Sequence, residues 1–278
     1  MNMNIKNIYF DEKARLYMLI ESAVFGDRIN NRKLGFNGLD TQITFIPSVW
    51  SGRKESLEKL GEGRLILDET KSPLAYNQMK ACDDNCPHLV KKIRRHEYNT
   101  EKGCYVKNSS LINKVKKVHK NPIIERVLPP KSYRLRLSVW GDVSKIKDES
   151  ILYLIRGLIL NSMQHFAYSV NPPLILKGLV MKSESNPFQA LQSLESGHSV
   201  YLGSKDQDKQ DLLKDLVKNK FPAIQCLSLG DGDPYLPTCG TCRTPCDGRY
   251  IKDKPKLILA SLPSKSNRIK ALKEKALT

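Results

Sequence analysis

The sequence predicts an α/β protein in which a parallel sheet forms part or all of a (β/α) barrel and carries a basic, cysteine-rich insertion. Three observations lead to this prediction. Apolar residues between positions 131 and 263 alternate between strand-like and helix-like periodicity. The seven cysteines fall into two groups, at 82–104 and at 226–246. The chain also has a net charge of +17, much of it near the first cysteine group.

The secondary structure follows from hydrophobic periodicity, which is two residues in a strand and 3.6 in a helix. Strand-like segments lie at 41–50, 64–67, 133–140, 174–182, 199–202, 223–229 and 256–262. Helix-like segments lie at 149–163, 187–194 and 209–220. From position 133 onwards the order is β-α-β-α-β-α-β, which predicts parallel strands joined by right-handed crossovers.

Composition divides the chain into four regions. Residues 1–80 carry no motif with recognisable chemistry, and residues 81–130 form a basic cysteine/histidine module. Residues 131–263 form the βα-repeat domain with its late four-cysteine loop, and residues 264–278 form a basic tail. Two consecutive prolines, Pro129 and Pro130, mark the boundary before the repeat domain, because proline ends regular structure.

The positive charge is local. Residues 89–136 contain fourteen Lys and Arg against three acidic residues, a net charge of +11. A field of this sign attracts polyanions, of which nucleic acid is the commonest, so DNA or RNA is the expected partner. A solvated basic face that only aids solubility is the simpler alternative. The candidate nucleic-acid contacts are Lys91, Lys92, Arg94, Arg95, Lys114, Lys116, Lys117 and Lys120.

Four of these lysines fall on a predicted helix that follows Cys104. Ser109 or Ser110 can cap it, and Val115 and Val118 belong to its apolar stripe. We expect the stripe to dock on the protein and the lysines to project into solvent, where they could follow a phosphate backbone.

The chain contains no run of eighteen apolar residues, and residues 1–10 lack the apolar core of a signal peptide. We therefore expect no membrane partner and a cytoplasmic location, which is the host cytoplasm if the gene belongs to a phage. Cytosolic thiols stay reduced, so the cysteines are expected to be ligands rather than disulfides. The sequence does not indicate an oligomeric state.

The late cysteine group predicts a metal site. Cys239, Cys242 and Cys246 lie within eight residues on a loop rich in Gly, Thr and Pro, and Cys226 lies thirteen positions before the first of them. Such spacing lets thiolates converge on one ion. Four thiolates can hold either zinc or an iron–sulfur cluster, and the sequence does not separate the two. Buried thiols or a disulfide are the alternative.

The early group consists of Cys82, Cys86 and Cys104. Three thiolates are one ligand short of a closed zinc site, which His88 or His96 could complete. If the site stays open, the same thiolates could hold an iron–sulfur cluster with one free iron. The alternative is that these cysteines only pack in the interior.

Candidate catalytic groups lie at predicted strand ends, because function in parallel α/β sheets gathers at the carboxyl ends of strands. Asp142 follows the strand at 133–140 and could be a nucleophile or general base exposed at a pocket rim. A turn or helix cap is the equal alternative. Glu184 follows the strand at 174–182 and could also cap a helix. His165 is expected to reach the same pocket, unless it is structural.

The motif order resembles a group of phage and plasmid proteins catalogued as gene product eighty-eight and its relatives. The resemblance covers roughly residues 70–262 and implies a phage or mobile-element origin and metal binding. It departs in the longer, more basic stretch before Cys104, and in Glu184, which stands where the family carries an aspartate. The matching positions are Cys82, Cys86, Pro87, His88, Gly103, Cys104, Tyr105, Val106, Gly141, Asp142, Cys239, Cys242, Asp247 and Gly248.

Three functions are compatible with these features. The favoured one is base modification by an enzyme similar to guanine (7-deazaguanine) transglycosylases that act on DNA. These have an α/β barrel, a zinc held mostly by cysteines and two carboxylates, here with Asp142 as the candidate, and their target base must leave the stack. The second is an iron–sulfur enzyme in which Cys82, Cys86 and Cys104 bind a cluster for S-adenosylmethionine and the late cysteines bind an auxiliary cluster. The third is a nucleic-acid-binding protein in which zinc only staples loops.

Overall fold

The computed structural model describes residues 7–23, 40–48, 80–83, 92–94, 97–98, 114–115, 117–118, 134–204, 207–226 and 246–261. The strands are β1 (Asn7–Asp11), β2 (Leu16–Ser22), β3 (Thr41–Pro47), β4 (Lys92–Arg94), β5 (Glu97–Tyr98), β6 (Arg134–Arg136), β7 (Gln164–Phe166), β8 (Tyr168–Ser169), β9 (Met181–Glu184), β10 (Val200–Ser204), β11 (Ala223–Gln225) and β12 (Leu257–Ser261). The α-helices are α1 (Glu149–Leu160), α2 (Pro187–Glu195) and α3 (Gln207–Val217). Of these helices, none has the length and apolar character that crossing a membrane requires.

Two five-stranded sheets organise this part of the chain. The first has the order β1-β2-β3-β6-β7, with antiparallel pairs up to β3 and parallel pairs after it. The second has the order β11-β12-β10-β9-β8 and is parallel throughout. Only Ala167 separates β7 from β8, so the chain passes directly from one sheet to the other. The predicted α/β class with mainly parallel sheets is therefore confirmed.

The helices begin where short polar side chains can accept backbone hydrogen bonds. The Asp148 carboxylate accepts the N–H of Ser150 at 2.8 Å and starts α1. The Asn186 side chain does the same for Phe188 at 2.8 Å and starts α2, with proline at the first helical position. Such residues are preferred N-caps, which explains why the predicted helices match α1 and α2 closely.

Apolar burial holds each sheet. In the first sheet β2 and β3 are buried along their whole length, so both of their faces are covered. In the second sheet one face packs against α2 and α3. That cluster consists of Ala190, Leu194, Val200, Leu202, Leu213, Val217, Leu257 and Leu259. The second sheet therefore has one face covered by helices. Candidate residues on β8 to β12 lie either on that face or on the opposite one.

Three strand predictions need correction. Residues 174–180 are not a strand: a 3-10 turn occupies Leu174–Leu176 and only the end of the predicted segment pairs, as β9. The strand at 133–140 is limited to β6, since Ser138 adopts a left-handed φ of 54°. Strands β7 and β8 follow directly after the helix predicted at 149–163, in a stretch for which the sequence predicted no element. The segment at 64–67 lies outside the described residues.

The basic insertion is described only in part. Strands β4 and β5 pair antiparallel, so the basic stretch between Cys86 and Cys104 contains paired strands rather than only a loop. Residues 114–115 and 117–118 are helical, as predicted, and Val115 and Val118 are fully buried.

Candidate functional site

The strand register gives the position of each candidate residue along the parallel strands. Lys182 pairs with both Ser169 and Val200, and Val200 pairs with Leu257, so these four residues mark one row across the second sheet. Glu184 lies two residues beyond this row, towards the carboxyl ends of the strands.

Two other candidates lie on opposite sides of that row. Cys226 lies three residues beyond it, because Ala223 pairs with Leu257 and the Cys226 N–H bonds to Leu259 O at 2.7 Å. His165 lies on β7, four residues before Ser169 and therefore towards the amino ends of the strands. The candidates are therefore divided between two ends of the sheet.

Asp142 is a buried turn cap rather than an exposed rim carboxylate. Its residue is 9% exposed, and its Oδ1 accepts the N–H of Ser144 at 2.9 Å and the hydroxyl of Ser169. Its Oδ2 accepts the N–H of Val170 at 3.2 Å. Burial raises the pKa of Asp142, and these donors oppose that shift. The predicted exposure at a pocket rim is therefore wrong, and the carboxylate ties the turn after β6 to the end of β8.

This turn anchors Cys82, the first cysteine of the early group, at the carboxyl ends of the strands. The Asp142 N–H donates to Ala81 O at 2.7 Å. The neighbouring Asp83 carboxylate accepts from Ser144 Oγ at 3.0 Å and from Asn171 Nδ2 at 3.1 Å. Cys82, which lies between these two anchors, is half-buried. The structure thus brings Cys82 and Asp142 together.

Gly141 makes this close approach possible. It has a φ of +78°, and a Cβ there would lie 2.7 Å from Phe45 Cβ and 3.2 Å from Ala81 O. Any other residue would be both strained and crowded. The Gly141-Asp142 pair is therefore explained by docking of residues 81–83 and not by exposure of a reactive carboxylate.

Glu184 lies at the carboxyl end, but its carboxylate is directed towards α2. It accepts from Ser193 Oγ at 2.8 Å and pairs with Lys182 Nζ at 3.2 Å, and its side chain is 10% exposed. The side chain thus stabilises the packing of α2 on β9. A role in catalysis stays a prediction.

His165 lies towards the amino ends of the strands, opposite to the end at which Glu184 lies. Its side chain is 2% exposed, its Nε2 lies 2.7 Å from Leu179 O, and its Nδ1 lies 4.0 Å from Asp247 Oδ2. Burial lowers the pKa of His165 to about 4, although Asp247 opposes the shift. At about 3.3 Å per residue, His165 lies roughly 13 Å along the strand from Ser169, the partner of Asp142. The expectation that His165 reaches the same pocket as Asp142 is therefore wrong.

Asp247 is the residue that sequence reasoning missed. It is fully buried, and Lys256 Nζ lies 2.5 Å from its Oδ1 while Arg249 Nε lies 2.7 Å from its Oδ2. Lys256 is itself buried, with its side chain 3% exposed. The signal in the sequence is the Cys246-Asp247-Gly248 motif, in which Asp247 and Gly248 belong to the family resemblance. The structure shows a charged anchor beside His165.

The structure separates two of the four late cysteines. Cys226 lies at the carboxyl end of β11, whereas Cys246 O accepts the N–H of Ala167, two residues before Ser169. Strands β9, β10 and β12 lie between β8 and β11. Strand rise and spacing give a separation of roughly 20 Å. Thiolates on one zinc lie about 2.3 Å from the metal, so this placement argues against a single site that includes both Cys226 and Cys246.

The remaining ligand candidates, Cys86, His88, Cys104, Cys239 and Cys242, lie outside the described residues. Within the residues that are described, no three His, Cys, Asp or Glu side chains are placed together to hold a metal ion. Metal binding therefore stays a prediction.

Two of the helix lysines are partly buried against the first sheet. Glu21 on β2 is 4% exposed, and it binds Lys117 Nζ at 2.7 Å and also Lys114 Nζ. Burial, with the charges of Lys117 and Arg136, lowers the pKa of Lys114 to about 7. The expectation that Lys114 and Lys117 project freely into solvent is wrong. They hold the basic helix against the first sheet.

The other basic candidates are placed only in part. Lys92 and Arg94 lie on β4. Lys91, Arg95, Lys116 and Lys120 lie outside the described residues.

His165 should make the protein less stable as the pH falls from about 6.5 to about 4. Imidazole in the unfolded chain has its ordinary pKa of 6.5, whereas burial in the fold lowers the pKa of His165 to about 4. The stabilisation that the neutral ring has above the unfolded pKa is therefore lost across this window. At 1.36 kcal/mol per pH unit, the loss approaches about 3 kcal/mol.

Urea unfolding of the wild type and His165→Gln at several pH values measures this loss. The wild type should lose stability faster on acidification than the variant. Burial raises the pKa of Asp40 to about 6, so Asp40 makes the stability change with pH in the opposite direction. Its contribution is the same in both proteins and cancels in their difference. The same pH dependence in both proteins would contradict a buried neutral imidazole.

Comparison with known proteins adds no assignment: no protein-family model, no curated protein and no solved structure matches this chain.

Proposed function

We propose that this chain is a nucleic-acid-associated iron–sulfur protein whose cluster is held by Cys82, Cys86 and Cys104. The observation that carries the proposal is the docking of residues 81–83 at the carboxyl ends of β6 and β8 by Asp142 and Asp83. In parallel α/β folds this end carries the reactive groups. Cys82 is half-buried there, so its thiolate can be both held in place and shielded from water.

The fold proposal is a partial (β/α) barrel. From β3 to β11 every neighbouring pair of strands is parallel, through the shared segment of β7 and β8. Helices α2 and α3 cover one face of the second sheet. A curved parallel sheet with helices on one face is the arrangement of an incomplete barrel.

The donor set fits an iron–sulfur cluster. Cysteine thiolates are the usual ligands of such clusters, and three of them leave one iron open. When bound, a cluster with an open iron supplies radical chemistry through S-adenosylmethionine. The residues of this chain would position and shelter it: Asp83 and Asp142 fix the backbone on both sides of Cys82 and limit its movement.

The transglycosylase hypothesis stays a prediction, but two of its supports are weakened. Asp142 is buried and accepts from three groups, so it is poorly placed as a nucleophile. The zinc site that this hypothesis requires included both Cys226 and Cys246, which lie at different ends of the sheet. The auxiliary cluster of the iron–sulfur hypothesis used the same late cysteines and is weakened in the same way, but the cluster proposed here is held by Cys82, Cys86 and Cys104 and requires neither Cys226 nor Cys246.

Association with nucleic acid rests on charge. The net charge is +17, and residues 89–136 alone contribute +11. Glu21 fixes two of these cations, Lys114 and Lys117, to the first sheet. Base modification on DNA or RNA is the reaction class that we propose.

Metal analysis of anaerobically purified protein tests the proposal. The wild type should be brown and contain iron, and Cys82→Ser should lose most of it, because a thiolate ligand is removed. Cys246→Ser is the matched control, since Cys246 lies at the other end of the sheet, and it should keep the iron. Colourless protein that contains zinc, or equal iron loss in both variants, would refute the proposed cluster.

A further inference from the structure

One nitrogen of the His165 ring has no hydrogen-bond partner in the part of the chain that the structure describes. The other nitrogen, Nε2, lies 2.7 Å from Leu179 O, and a carbonyl oxygen can only accept, so Nε2 carries the proton and donates. The buried Nδ1 therefore carries an unpaired lone pair. Asp247 Oδ2, 4.0 Å from Nδ1, is itself an acceptor and cannot satisfy it. A buried polar atom left in this way calls for a ligand, an ion or a water molecule.

The ring is held as a metal-binding imidazole is held. Ligating histidines usually donate their second ring N–H to a backbone carbonyl or a carboxylate, which fixes the tautomer and the ring orientation. Leu179 O does this for His165. Burial lowers the pKa of His165 to about 4, so no proton occupies the Nδ1 lone pair at neutral pH. Neutral imidazole with one free nitrogen is a common zinc ligand.

The chain brings the late cysteine group to this nitrogen. Cys246 O accepts the N–H of Ala167 at 3.1 Å, and Ala167 lies two residues after His165. The residue that follows Cys246 is Asp247, whose carboxylate lies 4.0 Å from Nδ1. Cys226, by contrast, lies at the carboxyl end of β11. The late cysteine loop therefore ends beside His165 and not beside Cys226.

The late cysteines need a fourth ligand other than Cys226. Cys239 and Cys242 lie outside the described residues, so their place in the site rests on sequence spacing. They precede Cys246 by seven and four residues, which is a spacing that lets thiolates converge on one ion. Three thiolates leave one tetrahedral position of zinc open.

We propose that Nδ1 of His165, rather than Cys226, is the fourth ligand of a zinc site formed by the late cysteines. The complete ligand set is Cys239, Cys242, Cys246 and His165. Four protein ligands close the tetrahedron, so the zinc is structural and fixes the late loop to β7. This inference is independent of the proposed iron–sulfur cluster, which uses none of these residues.

The charges beside Nδ1 fit a zinc ion with three thiolates. Asp247 binds two cations, Lys256 Nζ at 2.5 Å and Arg249 Nε at 2.7 Å, so these three side chains carry a net charge of +1. Asp247 and Lys256 are buried, so salt screens this charge poorly. Zinc with three thiolates and one neutral imidazole carries a net charge of −1. The two charges offset each other, which lowers the cost of burying either of them.

Measuring zinc and iron together in anaerobically purified full-length protein tests this assignment. The wild type should contain one zinc per chain, and His165→Gln and Cys246→Ser should each lose most of it. Glutamine at position 165 keeps an amide N–H for Leu179 O but offers zinc no imidazole nitrogen. Cys226→Ser is the matched control: it removes a thiol of the same late group and should keep the zinc.

Three results would each overturn the assignment: a wild type without zinc, zinc retained by His165→Gln, or zinc lost from Cys226→Ser. The second result is the one expected if a water molecule bridges Nδ1 and Asp247. X-ray absorption at the zinc edge of the wild type decides the case in which a variant does not fold. It should show sulfur at about 2.3 Å and one nitrogen at about 2.0 Å, and four sulfur neighbours would contradict a histidine ligand.

The iron measured in the same samples separates this inference from the proposed function. Cys82→Ser should lose iron and keep zinc, whereas Cys246→Ser should lose zinc and keep iron. A protein with zinc but no iron would refute the cluster and leave the His165 site intact.

Discussion

Replacing Asp247 with Asn should lower the free energy of unfolding by about 3–5 kcal/mol, because it leaves a buried ammonium group without its counter-ion. Asp247 is fully buried, and the Lys256 side chain that it binds is only 3% exposed. The second cation, Arg249, is 45% exposed and can turn to water. The loss should therefore come mainly from Lys256.

A double-mutant cycle identifies the cause. Lys256→Met removes the buried cation, and adding it to Asp247→Asn should restore much of the lost stability, since replacing both charges of a buried pair is often neutral. Glu184→Gln is the matched control. Its partner Lys182 is 27% exposed, so the loss should stay below about 1 kcal/mol. Additive losses for Asp247→Asn and Lys256→Met would show that the pair is not coupled.

This anchor connects three parts of the chain. Asp247 lies 4.0 Å from His165 on β7 and 2.5 Å from Lys256, the residue before β12. Its neighbour Gly248 donates its N–H to Leu179 O at 2.9 Å, just before β9. Breaking the anchor should therefore loosen the amino end of the second sheet while leaving the carboxyl end, with Cys82, in place.

Local signals in the sequence identified the helices well. The Asp148 and Asn186 caps and the apolar spacing within each helix are encoded in adjacent residues, and they need no partner from elsewhere in the chain. Strands β7 and β8 were missed because five paired residues are too few to show a period of two. Their pairing with β6 and β9 depends on distant residues.

The functional sites were harder to predict than the helices, because the strand register decides which residues lie together. Cys226 and Cys246 are twenty positions apart, and nineteen intervening residues can span roughly 60 Å, so proximity in sequence did not require proximity in space. The spacing of Cys239 and Cys242 still predicts a ligand pair. Which other cysteines can join them in one site depends on where those cysteines lie along the strands. For Asp142 the sequence left a cap and a catalyst as alternatives, and burial favours the cap.

Replacing Gly248 with Ala should cost about 3 kcal/mol, because there is no room for a methyl group. A Cβ at this position would lie 2.4 Å from Val180 N, 2.5 Å from Leu179 C and 2.7 Å from Leu179 N. These are backbone atoms, which cannot turn aside as a side chain could. The melting temperature should fall by about 9 °C in differential scanning calorimetry.

Gly157→Ala supplies the matched control for this substitution. Gly157 lies in α1 with nothing within 4 Å of its Cβ position, so alanine there should stabilise the protein by about 1 kcal/mol through helix propensity. The same chemical change should thus have opposite signs at the two glycines. If Gly248→Ala melted like the wild type, the segment after Cys246 would not pack against Leu179 and Val180. The distance between Cys246 and Cys226, and with it the case against a shared metal site, would then lose its basis.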